Sequence, residues 1–102
     1  MTLNIMSIKN IRNKIAENNA TLRKKYYVKE IGIFGSHIKG VAKAKSDLDI
    51  LVTFEKGHKD FFNFIRLKYF LEQLLEKKVD LVMKEAIKPR LKHRILREVE
   101  YV

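Results

Sequence analysis

Residues 28–54 read VKEIGIFGSHIKGVAKAKSDLDILVTF and decide the fold that we predict for this chain. Residues 28–34 form a β-prone run that ends at Gly35-Ser36, and residues 47–54 form a second β-prone run. After its first three residues, the second run is almost continuously apolar, which is typical of a central strand covered on both faces.

The rest of the chain predicts helices and one more strand around these two strands. We predict a helix over 5–25, a short helix or turn over 37–44, a turn over 55–58, a helix over 60–77 with Asp60 as N-cap, a strand over 78–83 and a helix over about 88–98 with Pro89 in its first turn. Such alternation indicates an α+β protein in which helices pack against one sheet.

The helix over 60–77 carries two apolar stripes at helical spacing. The main stripe, predicted to face the core, consists of Phe61, Phe64, Leu67, Leu71, Leu74 and Leu75. The second stripe consists of Phe62, Ile65 and Tyr69. Two interpretations of the second stripe stay open: extra coverage of the core, or an interface with a partner, because aromatic side chains are enriched at the centres of interfaces.

Size and composition restrict the classes of protein that need to be considered. With 102 residues, of which 46% are hydrophobic and 33% charged, the chain is expected to form a single globular domain over residues 1–102. It contains no cysteine, which excludes disulfides and thiolate chemistry and fits a cytoplasmic protein. We find neither a secretory signal pattern nor a stretch of roughly 20 apolar residues, so no membrane partner is expected.

The chain is strongly basic, with 22 Lys and Arg against 12 Asp and Glu and a formal net charge of +10. A positive surface attracts phosphates on nucleotides, nucleic acids or an acidic partner, and it does not choose among them. The alternative interpretation is that these charges lie on solvated helix faces.

A group of carboxylates carries the predicted chemistry. Asp47 and Asp49 project from the same face of their strand, because side chains alternate along a strand. Two carboxylates this close repel each other, and a divalent metal such as Mg²⁺ would relieve that repulsion. Asp80, in another β-prone run, would add a third carboxylate. Three carboxylates and two metal ions suit phosphoryl or nucleotidyl transfer.

Gly35-Ser36 supplies the second half of the predicted site. Glycine lets the backbone approach a phosphate closely, a helix starting after Ser36 would present free N–H groups, and Lys39 would add a positive charge. Taken singly, each of these features is more often structural. Gly-Ser, ten residues and Asp-x-Asp would occur together by chance in roughly one in a thousand chains of this length.

Other catalytic patterns are missing from the sequence. His37 follows Ser36 and could touch a nucleotide, but a surface role is the simpler interpretation; His58 lies in a predicted turn and His93 on a basic helix. These histidines form no zinc pattern and no local Ser/His/Asp arrangement. Gly35-Ser36 also lacks the Gly-x-x-x-x-Gly-Lys frame of a P-loop.

Residues 33–40, IFGSHIKG, and residues 46–52, SDLDILV, resemble the active-site signature of the DNA polymerase β-like nucleotidyltransferase superfamily. The small size and the C-terminal segment resemble its minimal, MNT-type branch. The resemblance implies a palm-like mixed sheet flanked by helices, with ATP as substrate and Mg²⁺, as two ions, as cofactor. Asp47, Asp49 and Asp80 would then be catalytic metal ligands.

The resemblance also implies further residue roles and a partner. Gly35 and Ser36 would hold the triphosphate, and Asp80 would help to deprotonate the attacking hydroxyl. Members of this branch are commonly antitoxins paired with a HEPN-domain ribonuclease toxin, and some transfer AMP to a toxin tyrosine. The family often reads Gly-Ser-x-Ala-Arg-Gly where this chain has Ile38 and Lys39. Lysine keeps the positive charge but cannot form the bidentate hydrogen bonds of arginine. This difference affects phosphate binding and does not affect the metal site.

Three functions stay open at this point. The first is AMP transfer from ATP to a hydroxyl of a HEPN toxin, in a complex with that toxin. The second is an antitoxin that masks its toxin by binding alone. The third is nucleotidyl transfer to RNA 3′ ends or to a small hydroxyl compound; against RNA, a chain of 102 residues has no room for an added recognition domain.

Overall fold

The computed structural model describes residues 7–43 and 45–102. Its strands and helices alternate along most of the chain, as the sequence predicts. They are α1 (Ile8–Glu17), α2 (Asn19–Lys25), β1 (Val28–Phe34), α3 (Ser36–Lys39), β2 (Leu48–Phe54), α4 (Phe61–Leu75), β3 (Val79–Met83), α5 (Pro89–Glu98) and β4 (Glu100–Tyr101), with a single 3₁₀ turn at Lys84–Ala86.

The strands form one mixed sheet in the order β3-β2-β1-β4. β1 is antiparallel to both β2 and β4, while β2 is parallel to β3. This arrangement confirms the predicted α+β fold with a mixed sheet flanked by helices. The short strand β4 was not predicted.

The predicted helix over 5–25 is divided into α1 and α2, and its first two residues lie outside the described part of the chain. α1 begins after Ser7, whose hydroxyl accepts a hydrogen bond from the Asn10 N–H at 3.2 Å. The break lies at Asn18, whose side-chain amide donates to the Lys14 carbonyl at 2.9 Å. Asparagine side chains compete in this way for helical backbone groups, which explains why a single continuous helix was the wrong prediction.

Helix α4 begins where the sequence predicts. Asp60 caps it by accepting a hydrogen bond from the Asn63 N–H at 2.9 Å, and the helix ends at Leu75, before Glu76 in the left-handed conformation. Its buried residues are Asn63, Leu67, Leu71 and Leu75.

Two predictions about the faces of α4 need correction. Phe61, assigned to the main stripe, is 71% exposed. In the second stripe, Phe62 is 77% and Tyr69 60% exposed, so extra core coverage is the wrong interpretation for these two side chains. Phe61 and Phe62 occupy the first turn of α4, in which Asn63 is the buried residue.

Apolar side chains cover both faces of the sheet, but unequally. The larger core joins α1, α2 and α4 to one face, on which Leu48, Ile50 and Val52 of β2 lie. The smaller core lies on the other face, where Leu51 and Phe34 pack with Ile87 and with Ile95 of α5. Since side chains alternate along β2, Asp49 shares the face of Leu51 and therefore points towards the α5 side.

Helix α5 begins with Pro89 at its first turn, as predicted, and ends at Glu98. The chain then pairs with β1 through β4, and the Val102 N–H donates to the Ile31 carbonyl at 2.9 Å. Within the described residues, no helix is both long and apolar enough to cross a membrane.

Candidate active site

Asp49 and Asp80 lie side by side on neighbouring strands. They are direct partners in the parallel ladder between β2 and β3, where neighbouring strands are about 4.8 Å apart. Because partners in register share a face, both carboxylates project on the α5 side of the sheet. Asp49 is half-buried and Asp80 is exposed, so one carboxylate is covered and the other is open to solvent.

The environment of Asp49 disfavours its negative charge. Burial, the neighbouring charge of Asp80 and a hydrogen bond with Asp80 raise the pKa of Asp49 to about 6, with smaller contributions from Asp47 and Glu98. The surroundings therefore stabilise the negative charge of Asp49 poorly, and a bound cation would make that charge more favourable.

Asp47 lies one residue before β2 and is exposed. It contributes to the raised pKa of Asp49, so it is near enough to interact with that carboxylate. Across residues 7–43 and 45–102, no group of three or more His, Asp or Glu side chains is assembled so that it could hold a metal ion as it stands. The oxygen donors and the unrelieved repulsion nevertheless fit Mg²⁺, which is usually held by one or two carboxylates and substrate phosphates.

Gly35 connects the end of β1 to α3 directly beside Asp49. Its φ of 79° and ψ of −150° are open to glycine and strained for other residues. A Cβ atom on Gly35 would overlap a carboxylate oxygen of Asp49. The absence of a side chain therefore allows the backbone turn and the carboxylate to approach each other, whereas the sequence predicted a close approach to a phosphate.

Ser36 begins α3 and is half-buried. α3 has 4 residues and ends at Gly40, in the left-handed conformation with φ 75°. A helix this short contributes little dipole, so an anion at this turn would depend on individual N–H groups and on Lys39 rather than on the helix as a whole.

Glu98 is the residue of this site that the sequence analysis missed. Its Oε1 atom accepts a hydrogen bond from the Gly35 N–H at 3.2 Å, and its Oε2 atom lies 3.3 Å from the Lys39 Nζ atom. Lys39 therefore reaches the site, but its charge faces a carboxylate of the same chain. One signal was available: Glu98 is the single acidic residue of α5, whose sequence is PRLKHRILRE.

His37 is half-buried in α3, whereas a surface role was the simpler expectation. Burial, followed by the charge of Lys77, lowers the pKa of His37. Its Nδ1 atom is buried, and no hydrogen-bond partner for it occurs among the residues that the structure describes. His58 stacks on Tyr27 with ring centroids 3.7 Å apart, and His93 is exposed on α5.

Residues 12–102 match the nucleotidyltransferase domain family. The chain is 42% identical over 98 residues to the protein adenylyltransferase MntA of Thermococcus cleftensis, and the match covers 96% of this chain and 98% of that protein.

Solved structures also resemble this chain. One, provisionally named a minimal nucleotidyltransferase, matches with a TM-score of 0.80 and 35% identity, over 95% of this chain and 97% of that chain. A crystal structure of a toxin–antitoxin complex with AMP-PNP contains a chain that matches with a TM-score of 0.69 and 25% identity, over 87% of this chain and 69% of that chain.

Proposed function

Because this chain belongs to the nucleotidyltransferase domain family, it is a nucleotidyltransferase, and we propose that it transfers AMP from ATP to a tyrosine hydroxyl of a partner HEPN toxin and so acts as the antitoxin. The observation that carries this proposal is the pairing of Asp49 with Asp80 next to the Gly35 turn. The identity to an adenylyltransferase over nearly the whole of both chains supports protein as the acceptor.

The bonds that change are the same for any hydroxyl acceptor. The hydroxyl oxygen attacks the α-phosphorus of ATP, the bond from that phosphorus to the bridging oxygen of the β-phosphate breaks, and pyrophosphate leaves. We assign the acceptance of the hydroxyl proton to Asp80, because it is exposed to an incoming partner and lies beside Asp49.

Asp47, Asp49 and Asp80 would hold Mg²⁺, which when bound would neutralise charge on the phosphates. The backbone of Gly35, with Ser36 and Lys39, would position the triphosphate. Because Gly35 has no side chain, its turn lies directly against the Asp49 carboxylate, which would keep the bound triphosphate and the carboxylates within one compact site. Holding both reactants in this geometry is a large part of the catalysis of such transfers.

The test combines the protein with Mg²⁺, α-labelled ATP and a candidate HEPN toxin. We expect label on a toxin tyrosine with the natural chain and a loss of at least a hundredfold in Asp49→Asn, since electrostatic stabilisation by single groups is typically worth that much. Asp60→Asn is the matched control, because it makes the same chemical change at the start of α4 and asparagine also caps helices.

Two results would contradict the proposal. This reaction would be excluded if the toxin stayed unlabelled and if any label on other molecules were the same with Asp49→Asn as with the natural chain. Label that appears on RNA or on a small hydroxyl compound, and not on protein, would instead favour transfer to that acceptor.

A second candidate function is masking of the toxin by binding alone. The exposed aromatic side chains Phe61, Phe62 and Tyr69 on α4 favour it, because apolar side chains left in solvent often mark an interface. The variant Asp47→Asn/Asp49→Asn separates the two functions. If it still neutralised the toxin fully, binding alone would be sufficient.

A further inference from the structure

Glu98 binds two of the positive groups at the Gly35 turn. Its two carboxylate oxygens each take one of them: the Gly35 N–H at 3.2 Å and the Lys39 Nζ atom at 3.3 Å. Only 18% of the Glu98 side chain is exposed, so the carboxylate lies within the site rather than on the surface.

The proposed function assigns both of these groups, together with Ser36, to the triphosphate. A backbone N–H and a lysine ammonium recognise phosphate oxygens through charge-assisted hydrogen bonds, and they recognise carboxylate oxygens in the same way. The Gly35 N–H has a single hydrogen, so it cannot serve a carboxylate and a phosphate fully at the same time.

We propose that Glu98 is a built-in competitor of the triphosphate, which occupies the phosphate position in the nucleotide-free protein and must swing away when ATP binds. This inference rests on the proposed function, since it takes ATP as the ligand of this turn. A bound triphosphate would also place more negative charge beside Asp49 and Asp80, which strengthens the repulsion of Glu98.

The movement requires a side-chain rotation and no change in the fold. The backbone around Glu98 is held by the Val99 N–H, which donates to the Ile95 carbonyl at 3.0 Å, and by the pairing of β4 with β1. The glutamate side chain itself has three rotatable bonds, and its partner Lys39 is 51% exposed. Glu98 and Lys39 can therefore separate towards solvent while α5 stays in place.

A competitor and a positioning residue predict opposite effects of substitution. If Glu98 competes with the triphosphate, removing its charge strengthens nucleotide binding, because a larger fraction of the protein has a free site. If Glu98 instead holds Gly35 and Lys39 in the geometry that binds ATP, removing its charge weakens binding.

The experiment measures the Kd of AMP-PNP with Mg²⁺ by isothermal titration calorimetry. We expect Glu98→Gln to lower the Kd roughly tenfold, or about 1.4 kcal/mol. Glu100→Gln is the matched control: it makes the same change of charge two residues away, where Glu100 pairs with Arg12 at 2.9 Å instead of with the site. We expect that variant to stay within about twofold of the natural chain.

Two further variants make the test specific. Glu98→Asp keeps the charge but shortens the side chain, so it should bridge the two donors poorly and lower the Kd in the same direction, even if Glu98→Gln folds badly. In a Lys39→Gln background, Glu98→Gln should gain less than in the natural chain, because one of the two contested donors is gone.

The outcomes separate this inference from the proposed function. A Kd that is unchanged or higher in both Glu98→Gln and Glu98→Asp, with measurable binding by the natural chain, would overturn the role of Glu98 and leave the nucleotide site standing. No binding of AMP-PNP by any variant would overturn both.

Discussion

Gly35 determines how closely the turn between β1 and α3 can approach the Asp49 carboxylate. We expect Gly35→Ala to destabilise the fold by about 2–3 kcal/mol, because its positive φ disfavours alanine and the new Cβ would overlap Asp49. Nucleotidyl transfer should fall at least tenfold, since the turn and the carboxylate must move apart. Urea denaturation and the labelling assay measure the two effects.

Gly40→Ala shows what a positive φ alone costs; Gly40 has ψ 16°, in the left-handed region that alanine tolerates better than the Gly35 conformation with ψ −150°. Gly40 has nearly the same φ, 75°, but a Cβ there would meet no atom within 4 Å. The Gly40→Ala variant should lose only the conformational part of the free energy of unfolding, about 1 kcal/mol. Equal losses in the two variants would show that the overlap with Asp49 is unimportant.

The raised pKa of Asp49 makes a prediction about stability and pH. The pKa of Asp49 in the folded protein, about 6, lies above its ordinary value of 3.8, so the folded state binds this proton more tightly than the unfolded state does. The resulting stabilisation is present below about pH 4 and is lost as the pH rises to about 6. Asp49→Asn has no such loss, so it should be more stable than the natural chain at pH 7, by of order 1 kcal/mol after discounting for solvent screening.

Urea denaturation between pH 4 and pH 7 measures this difference. The difference in the free energy of unfolding between Asp49→Asn and the natural chain should shrink towards pH 4 and be constant above about pH 6.5. Asp47→Asn serves as the comparison, because Asp47 is exposed and should change the profile less. A difference that is independent of pH would contradict the account of Asp49.

Among single residues, the sequence revealed those that have a local signature. Asp49 and Gly35 are recognisable because strand alternation and turn geometry act over a few residues. Glu98 is not, because it meets Gly35 across 63 residues and that contact depends on how α5 packs. The position of Glu98 as the single acidic residue of α5 marks it as unusual, but a local pattern does not reveal which residue it contacts.

Helix α4 depends on one buried polar side chain. The amide of Asn63 is 5% exposed and donates to the Tyr26 carbonyl at 2.8 Å and to the His58 carbonyl at 3.0 Å, which ties α4 to the start of β1. Asn63→Ala should lower the free energy of unfolding by about 2–4 kcal/mol, because two carbonyls lose their donor. Chemical denaturation measures this loss.

Gln73→Ala is the control for that variant, since Gln73 lies on the same helix and is exposed. Its effect should stay within about 0.5 kcal/mol. Similar losses for the two substitutions would mean that Asn63 contributes no more than helix propensity.

The longer elements were predictable and the short ones were not. β1 and α4 follow clear patterns of strand and helix, and their predicted bounds agree with the structure to within two residues. β4 has 2 residues, and it exists because the edge of β1 is free to pair with it. The break at Asn18 depends on a side-chain hydrogen bond that helical periodicity does not reveal.

The surface of the whole molecule carries aromatic side chains that the core does not use. Phe62→Ser should change the free energy of unfolding by no more than about 0.5 kcal/mol, because this side chain is 77% exposed. Leu67→Ala, on the buried face of the same helix, should cost about 2–5 kcal/mol. Thermal or urea denaturation compares them, and a large loss in Phe62→Ser would mean that Phe62 packs against the core in solution.

The central position of β2 determines the order in which the parts of the site unfold. β2 is paired on both sides, with β1 and with β3, whereas α5 packs through the smaller core. Backbone amides in such a strand exchange with solvent deuterium mainly through global unfolding, while a peripheral helix opens on its own at lower free energy. Asp49 therefore keeps its place until the whole domain unfolds, whereas the backbone of Glu98 is released once α5 and the two-residue strand β4 open together.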